Sequence, residues 1–160
     1  MSLRFAVAII GSVVILIGPF AAVGAGPAAA RPKCTIRGTA ADDTLVGTSR
    51  DDVICAGPGR DRVWGLGGED FIAGGTGDDQ LHGNDGADTI RGNDDDDTIT
   101  GNGLADRVYG GRGADQVDGG FNDDIINIRD GVDGNDAAIG DSGTDTCSVD
   151  AGDLVSSCEL

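Results

Sequence analysis

Aspartate stands at every ninth residue of a long stretch: Asp43, Asp52, Asp61, Asp70, Asp79, Asp88, Asp97, Asp106, Asp115 and Asp124. A carboxylate repeated at one spacing supplies one short-stemmed oxygen donor per structural unit. That suits ligation of hard cations better than the lone acid–base pair of an active site. The choice of acid points the same way, since only Glu69 and Glu159 among the 28 acids are glutamates. A surface needing charge alone could use either acid, so the shorter arm itself is required. With a formal net charge of -17, the chain would repel nucleic acid and anionic membranes, which excludes both as partners.

Catalytic chemistry finds little support in the same residues. His82 is the only histidine and Lys33 the only lysine. Neither HExxH nor GxSxG occurs, and a Walker loop has no lysine to draw on within the repeats. The acidic run Asp94, Asp95, Asp96 and Asp97 after Asn93 lacks the downstream Glu that closes an EF-hand loop. Adjacent acids such as Asp78 and Asp79 recur in several units without a cleft to hold a sugar between them. The expectation is a protein that is not an enzyme.

Something must position ten carboxylates, and the residues between them indicate what. Cut in nines from Gly38, ten units run without a gap to Asn127. The first place is Gly in every unit except the one opened by Ala56. The eighth is always aliphatic: Leu45, Ile54, Val63, Ile72, Leu81, Ile90, Ile99, Val108, Val117 and Ile126. Places one to six are rich in Gly, Asn and Asp, which accept positive φ and tight turning. The last three alternate around one aliphatic, as a very short strand does. A turn and a three-residue strand, repeated, predict an all-β fold: a parallel right-handed β-roll with two units per coil and a thin core of eighth-place side chains. Residues 128–130 break the frame, and two weaker units resume at Gly131, with Asp136 and Asp145 in sixth place. Upstream, Cys34 and Ile36 fall on sixth and eighth places, so Thr35, Ile36 and Arg37 read as the strand of an incomplete unit.

Stacked coils rise about 4.8 Å apart, so alternate aspartates form two columns of like charges about 5 Å apart. Without a counter-ion such a stack repels itself. Ca²⁺ relieves that repulsion, because it takes six to eight oxygens from carboxylates and backbone carbonyls, whereas Mg²⁺ prefers to keep its waters. The pattern resembles the RTX, or haemolysin-type, calcium-binding repeat G-G-x-G-x-D-x-U-x. GGTGDD from Gly74, GGRGAD from Gly110, GNDGAD from Gly83, GLGGED from Gly65 and AGPGRD from Ala56 come nearest to it. The resemblance covers 38–127 closely and 131–148 loosely, and Ala41, Arg50, Asp95, Leu104 and Asn122 depart from its fourth-place glycine.

The resemblance implies Ca²⁺ as cofactor, held by the ten aspartates with backbone carbonyls near Gly57, Gly59, Gly65, Gly67, Gly74, Thr76, Gly83, Asp85, Gly110 and Arg112. Asp136 and Asp145 are implied as weaker ligands. Two columns of five leave at most about eight intervals for ions. Many members of that family carry a carboxyl-terminal export signal and a catalytic domain; this chain has neither feature in view and reads as a freestanding repeat module.

The amino terminus reads differently. Between Arg4 and Arg31 no charge occurs, and Phe5 to Phe20 is largely Val, Ile, Ala and Leu. We read residues 1–30 as a secretory signal peptide, with cleavage after Ala25 or Ala30 and an uncleaved anchor as the alternative. The remainder divides into an amino-terminal cap at 31–37, a roll at 38–148 and a carboxyl-terminal cap at 149–160. Secretion predicts an extracellular protein with no membrane contact in its mature form, and paired cysteines. Of three connectivities, Cys34 with Cys55 and Cys147 with Cys158 would staple the two ends of a solenoid that needs caps. A regular roll would hold the Cα atoms of the first pair beyond the roughly 7 Å limit, so that pairing requires a distorted first coil. Val53, Phe71, Ile125 and Tyr109 are expected on one outward face and Trp64 on the other, where an extracellular protein or polysaccharide would dock.

Overall fold

The computed structural model describes residues 33–159 together with Ile9–Ile10 and Val13–Val14. Those two short segments, β1 and β2, pair antiparallel. The rest of the expected signal peptide at 1–30 lies outside the described residues, as do Arg31, Pro32 and Leu160. The chain divides into a unit of residues 1–31 and a unit of residues 32–160, the second of which holds all the repeats. Among the described residues, no helix is long and apolar enough to cross a membrane.

Fourteen strands build the second unit. Two short ones open it, β3 (Ile36–Arg37) and β4 (Thr44–Val46). Eight of six residues come next: β5 (Val53–Pro58), β6 (Arg62–Gly67), β7 (Phe71–Thr76), β8 (Gln80–Asp85), β9 (Thr89–Asp94), β10 (Thr98–Gly103), β11 (Arg107–Arg112) and β12 (Gln116–Phe121). β13 (Ile125–Asn127), β14 (Ala137–Ser142), β15 (Thr146–Ser148) and β16 (Leu154–Ser156) close it. They form two seven-stranded sheets, one of even-numbered strands from β4 to β16 and one of odd-numbered strands from β3 to β15. Every neighbour pair within them is parallel. Two units therefore complete each coil, as the period predicts.

The strands are longer than predicted. Instead of three residues, β5 to β12 run six, from the seventh place through the third place of the following unit. The second- and third-place residues keep pairing across the corner, as in Gly57↔Gly75 and Pro58↔Thr76. That pairing needs glycine: Gly75 has φ 135°, and a Cβ there would strike the Gly57 carbonyl of the coil before. Only places four to six are left for the turn.

Alternation along each strand buries the eighth place. Ile54, Val63, Ile72, Leu81, Ile90, Ile99, Val108, Val117 and Ile126 are all at most 2% exposed, with Ile36 and Leu45 partly buried at the open end. Burying each such side chain favours folding by roughly 1.5–3 kcal/mol. The frame break is absorbed outside the sheets: Val117 pairs Ala138 and Ile126 pairs Cys147, so register resumes after a longer loop. Inserted Ile128 turns inward and is fully buried.

The ends are stapled by Cys34–Cys55 and Cys147–Cys158, with Cα atoms 5.9 and 5.7 Å apart. The first pair closes because the first coil is irregular. Where a sixth-place aspartate would accept from its neighbours, the Thr35 hydroxyl steps in, accepting the Val53 amide at 2.9 Å and donating to Asp52 at 3.2 Å. Cys147 occupies an eighth place, so the second staple lies at the end of the core itself.

Candidate metal centre

Each turn ends on the sixth-place aspartate, and the coil geometry uses that residue three ways. Its carbonyl accepts the seventh-place amide of the next coil, as from Gln80 to Asp61 at 2.9 Å and from Thr98 to Asp79 at 2.9 Å. Its amide donates to the Oδ1 of the next aspartate in its own column: Asp61 to Asp79 at 2.8 Å, Asp79 to Asp97 at 2.9 Å, Asp97 to Asp115 at 3.0 Å. The other column repeats this from Asp70 to Asp88, Asp106 and Asp124. Asp115 to Asp136 and Asp124 to Asp145, both at 2.8 Å, carry the columns across the insertion.

The second carboxylate oxygen is left over. In Asp61, Asp70, Asp79, Asp88, Asp97, Asp106, Asp115, Asp124, Asp136 and Asp145 the Oδ2 is buried without a hydrogen-bond partner, and none of these residues exceeds 3% exposure. Its surroundings explain why the first place is glycine. A Cβ on Gly65 would run into Asp70 Oδ2 and the Gly83 carbonyl oxygen, and one on Gly74 into Asp79 Oδ2 and the Gly92 carbonyl oxygen. The orphaned oxygens of Asp70, Asp79, Asp88, Asp97, Asp106 and Asp145 thus share a small space with a backbone carbonyl of the following coil. Two acceptors with no proton between them fit a hard cation.

Burial raises the carboxyl pKa values along the columns, against the lowering effect of the amide each carboxylate accepts and with repulsion from neighbouring aspartates adding to the rise. Asp79, Asp88, Asp115 and Asp124 are pushed up to about 6, Asp106 to about 7 and Asp97 to about 8. Asp61, Asp70 and Asp136 move in the same direction for the same reason. These carboxylates call for a proton or a cation.

The first two aspartates behave otherwise. Asp43 Oδ2 accepts the Thr39 amide and hydroxyl, and Asp52 Oδ2 those of Thr48 at 2.8 Å each. Burial acts to raise the Asp52 pKa, but the Thr48 and Thr35 hydrogen bonds outweigh it and the net shift is downward. The turns at Ala41 and Arg50 also lack the left-handed residue of later coils, whereas Asp95, Leu104 and Asn122 adopt it without being glycine, at φ 78°, 70° and 79°.

Of the carbonyls expected near the ions, those of Thr76 and Asp85 accept the Gly59 and Gly68 amides at 2.9 and 3.0 Å. Those of Gly83 and Gly110 lie beside the first-place glycines of the preceding coil. Among the described residues, no three His, Cys, Asp or Glu side chains converge on one point. That is the consequence of one buried carboxylate per unit, and it leaves the remaining ligands of any ion to backbone oxygen.

Two features escaped the sequence reading. Asp153 extends one column, accepting amides from Gly134 at 3.1 Å and Asp136 at 3.4 Å. Its signal was present as Asp153-Leu154-Val155, an Asp-x-aliphatic triplet one residue out of frame. Fifth-place acids also tie coil to coil: Asp42, Asp51, Asp96 and Asp123 accept the amides of Arg60, Glu69, Ala114 and Thr144.

Parallel coils with buried aspartate columns and oxygen-only surroundings define a calcium-binding β-roll. A family model described as the RTX calcium-binding nonapeptide repeat (4 copies) matches residues 37–72, 64–99, 73–106, 91–126 and 100–133. These overlapping matches extend over more than half of the chain, which belongs to that family. No curated protein matches it. Calcium is accordingly the ion that the stacked aspartates serve.

Proposed function

We propose that this is a secreted calcium-binding protein whose repeats take Ca²⁺ between successive turns and fold on binding it. The observation that carries the reading is the ten buried, unpartnered Oδ2 atoms, which neither the hydrophobic core nor the backbone ladder satisfies. Asp61, Asp70, Asp79, Asp88, Asp97, Asp106, Asp115 and Asp124 would be the carboxylate ligands, with Asp136 and Asp145 completing the columns. Backbone carbonyls of the neighbouring coils would supply the rest of each shell. The threonine-capped Asp43 and Asp52 would close the stack rather than hold ions. Bound calcium supplies the positive charge that lets the aspartate columns stay ionised inside the roll.

Secretion supports the same reading in physical terms: residues 1–30 would direct export, and extracellular calcium lies where such modules bind, with dissociation constants of about 10⁻⁴–10⁻³ M. In this reading the roll serves structure and binding, with His82 stacked on Trp64 at 5.7 Å between ring centroids. A second reading, a calcium-rigidified adhesion or glycan- and protein-binding module, draws on the outward side chains, where Arg91 lies 5.5 Å from the Phe71 ring centroid and 5.2 Å from that of Tyr109.

The deciding experiment titrates Ca²⁺ into the metal-free chain while far-UV circular dichroism is followed, with Mg²⁺ as control. A cooperative coil-to-β transition specific to Ca²⁺ is expected. A β signal that is complete without the ion would overturn folding on binding. Replacing Asp79 and Asp97 by alanine should lower both the number of ions bound and their affinity; an unchanged isotherm would remove these residues from the ligand set. Retention of a protein or glycan by the immobilised chain in Ca²⁺, and its release by chelator, would favour the second reading.

A further inference from the structure

The two turn edges of the roll differ in a way that the calcium columns do not require. On one edge two arginines offset part of the charge, Arg60 with Asp78 at 2.7 Å and Arg112 with Asp94 at 3.2 Å, while Asp42, Asp95 and Asp96 stand exposed there without a cation among the described residues. Across the other runs a groove of about 650 Å³, lined by Asp51, Glu69 and Asp85 together with Gly68, Leu104 and Phe121. Among the described residues, no cation pairs with Asp51, Glu69 or Asp85. The groove thus presents uncompensated negative charge beside apolar surface.

Its apolar residues are costly to the roll. Leu104 and Phe121 are 56% and 64% exposed, so neither serves the core. Leu104 also has φ 70°, in the left-handed region that a β-carbon disfavours, whereas Gly86 and Gly68 hold the equivalent place one and two coils earlier on that edge. An exposed leucine on strained backbone stabilises nothing within the chain. Leu66, outside the groove, is built the same way, at φ 79° and 44% exposed, so it is the pairing of Leu104 with Phe121 beside unpaired acids that points to use by a partner.

We propose that this groove docks a short basic peptide segment carrying a bulky apolar side chain, its cations against Asp51, Glu69 and Asp85 and its apolar group against Leu104 and Phe121. Charge complementarity selects that occupant, because a second copy of this chain would bring a net charge of -17 to an acidic surface.

The test uses the full chain at saturating Ca²⁺ and a fluorescein-labelled Lys-Lys-Leu-Phe-Lys-Lys peptide, followed by anisotropy. Lys-Lys-Ser-Ser-Lys-Lys and Gly-Gly-Leu-Phe-Gly-Gly serve as controls. Saturable binding about tenfold tighter than either control is expected, with about a tenfold loss in Leu104→Gly and in Phe121→Ser. Leu104→Gly relieves the strained backbone, so its melting temperature should hold or rise, and its loss of binding cannot be blamed on unfolding. Equal binding of the serine control, or unchanged binding by both variants, would overturn the proposal. So would a dimer of the chain that Phe121→Ser dissolves, since the occupant would then be a second copy. Dependence of the fold on calcium is read separately from the far-UV signal: its failure leaves that signal intact without Ca²⁺ and does not touch the anisotropy result.

Discussion

At Asp97 two requirements meet in one carboxylate. Its Oδ1 holds the Asp79 amide, while its Oδ2 stands buried and unpartnered. Asp97→Asn keeps the first contact and replaces the second oxygen by a donor facing the Gly110 carbonyl, which a Cβ on Gly92 shows to lie beside it. The metal-free roll should gain about 1–3 kcal/mol, and calcium binding should weaken. Melting curves in chelator and in Ca²⁺ check both, and a variant less stable in chelator would show that Oδ2 is already satisfied. The raised pKa values also give a pH dependence of definite sign. Carboxyls pushed up to about 6 to 8 keep protons in the folded, metal-free chain that the unfolded chain has released. Their stabilising effect is full below the ordinary aspartate value near 4 and is lost as pH rises through about 6 to 8. Calcium competes with those protons, so its midpoint should move to lower concentration as pH rises. Circular dichroism of the metal-free chain against pH, and calcium titrations at two pH values, measure the opposite trends.

One repeat unit works because each place has a separate physical task, and that division is largely legible in the sequence. The eighth place needs an aliphatic because strand alternation turns it inward, and Leu81 is fully buried as the pattern requires. Leu81→Ala should cost about 2–5 kcal/mol, since the thin core has no second layer to fill the space; a denaturant midpoint that does not move would mean that the coil collapses around the gap. The first-place glycine is visible in the sequence, but its purpose is not. Only the structure shows that a methyl at Gly74 would occupy the space between Asp79 Oδ2 and the Gly92 carbonyl. Gly74→Ala should therefore destabilise the roll by about 1–3 kcal/mol and remove ion binding at that position, read as a lower stoichiometry by calorimetry. Strand length is underestimated for a related reason: glycine and asparagine read as turn residues, and second-place Gly75 and Asn93 do keep positive φ, yet parallel pairing with the next coil carries the ladder through them.

Over the whole roll, each coil touches only its neighbours, so stability should grade from the stapled ends towards the middle. The core-facing Ile36, Leu45 and Val155 at the ends are only partly buried, whereas the central Ile72, Leu81 and Ile90 are fully buried. Hydrogen exchange in Ca²⁺ should be slowest in β7 to β11 and fastest in β3, β4, β15 and β16. Replacing Cys147 and Cys158 by serine should cost about 3 kcal/mol and speed exchange mainly in β14 to β16. Uniform acceleration along the chain would show the roll to be one cooperative block.

The period of nine by itself determined the fold class, the two-unit coil, the core column and the aspartates that face each other. The physical reason is that a slip of one residue would turn the seventh- or ninth-place side chains, such as Arg62, Gln80 and Arg91, inward in place of the aliphatics, so a single register satisfies every unit. What the tertiary structure alone decided lies between residues 17 to 21 positions apart. It chose which carboxylate oxygen is spent on an amide and which is left for an ion, and brought Asp153 into a column out of frame. It also gave one edge paired arginines and the other an acidic, apolar groove. Those outcomes depend on distances between successive coils, and composition along one coil carries no record of them.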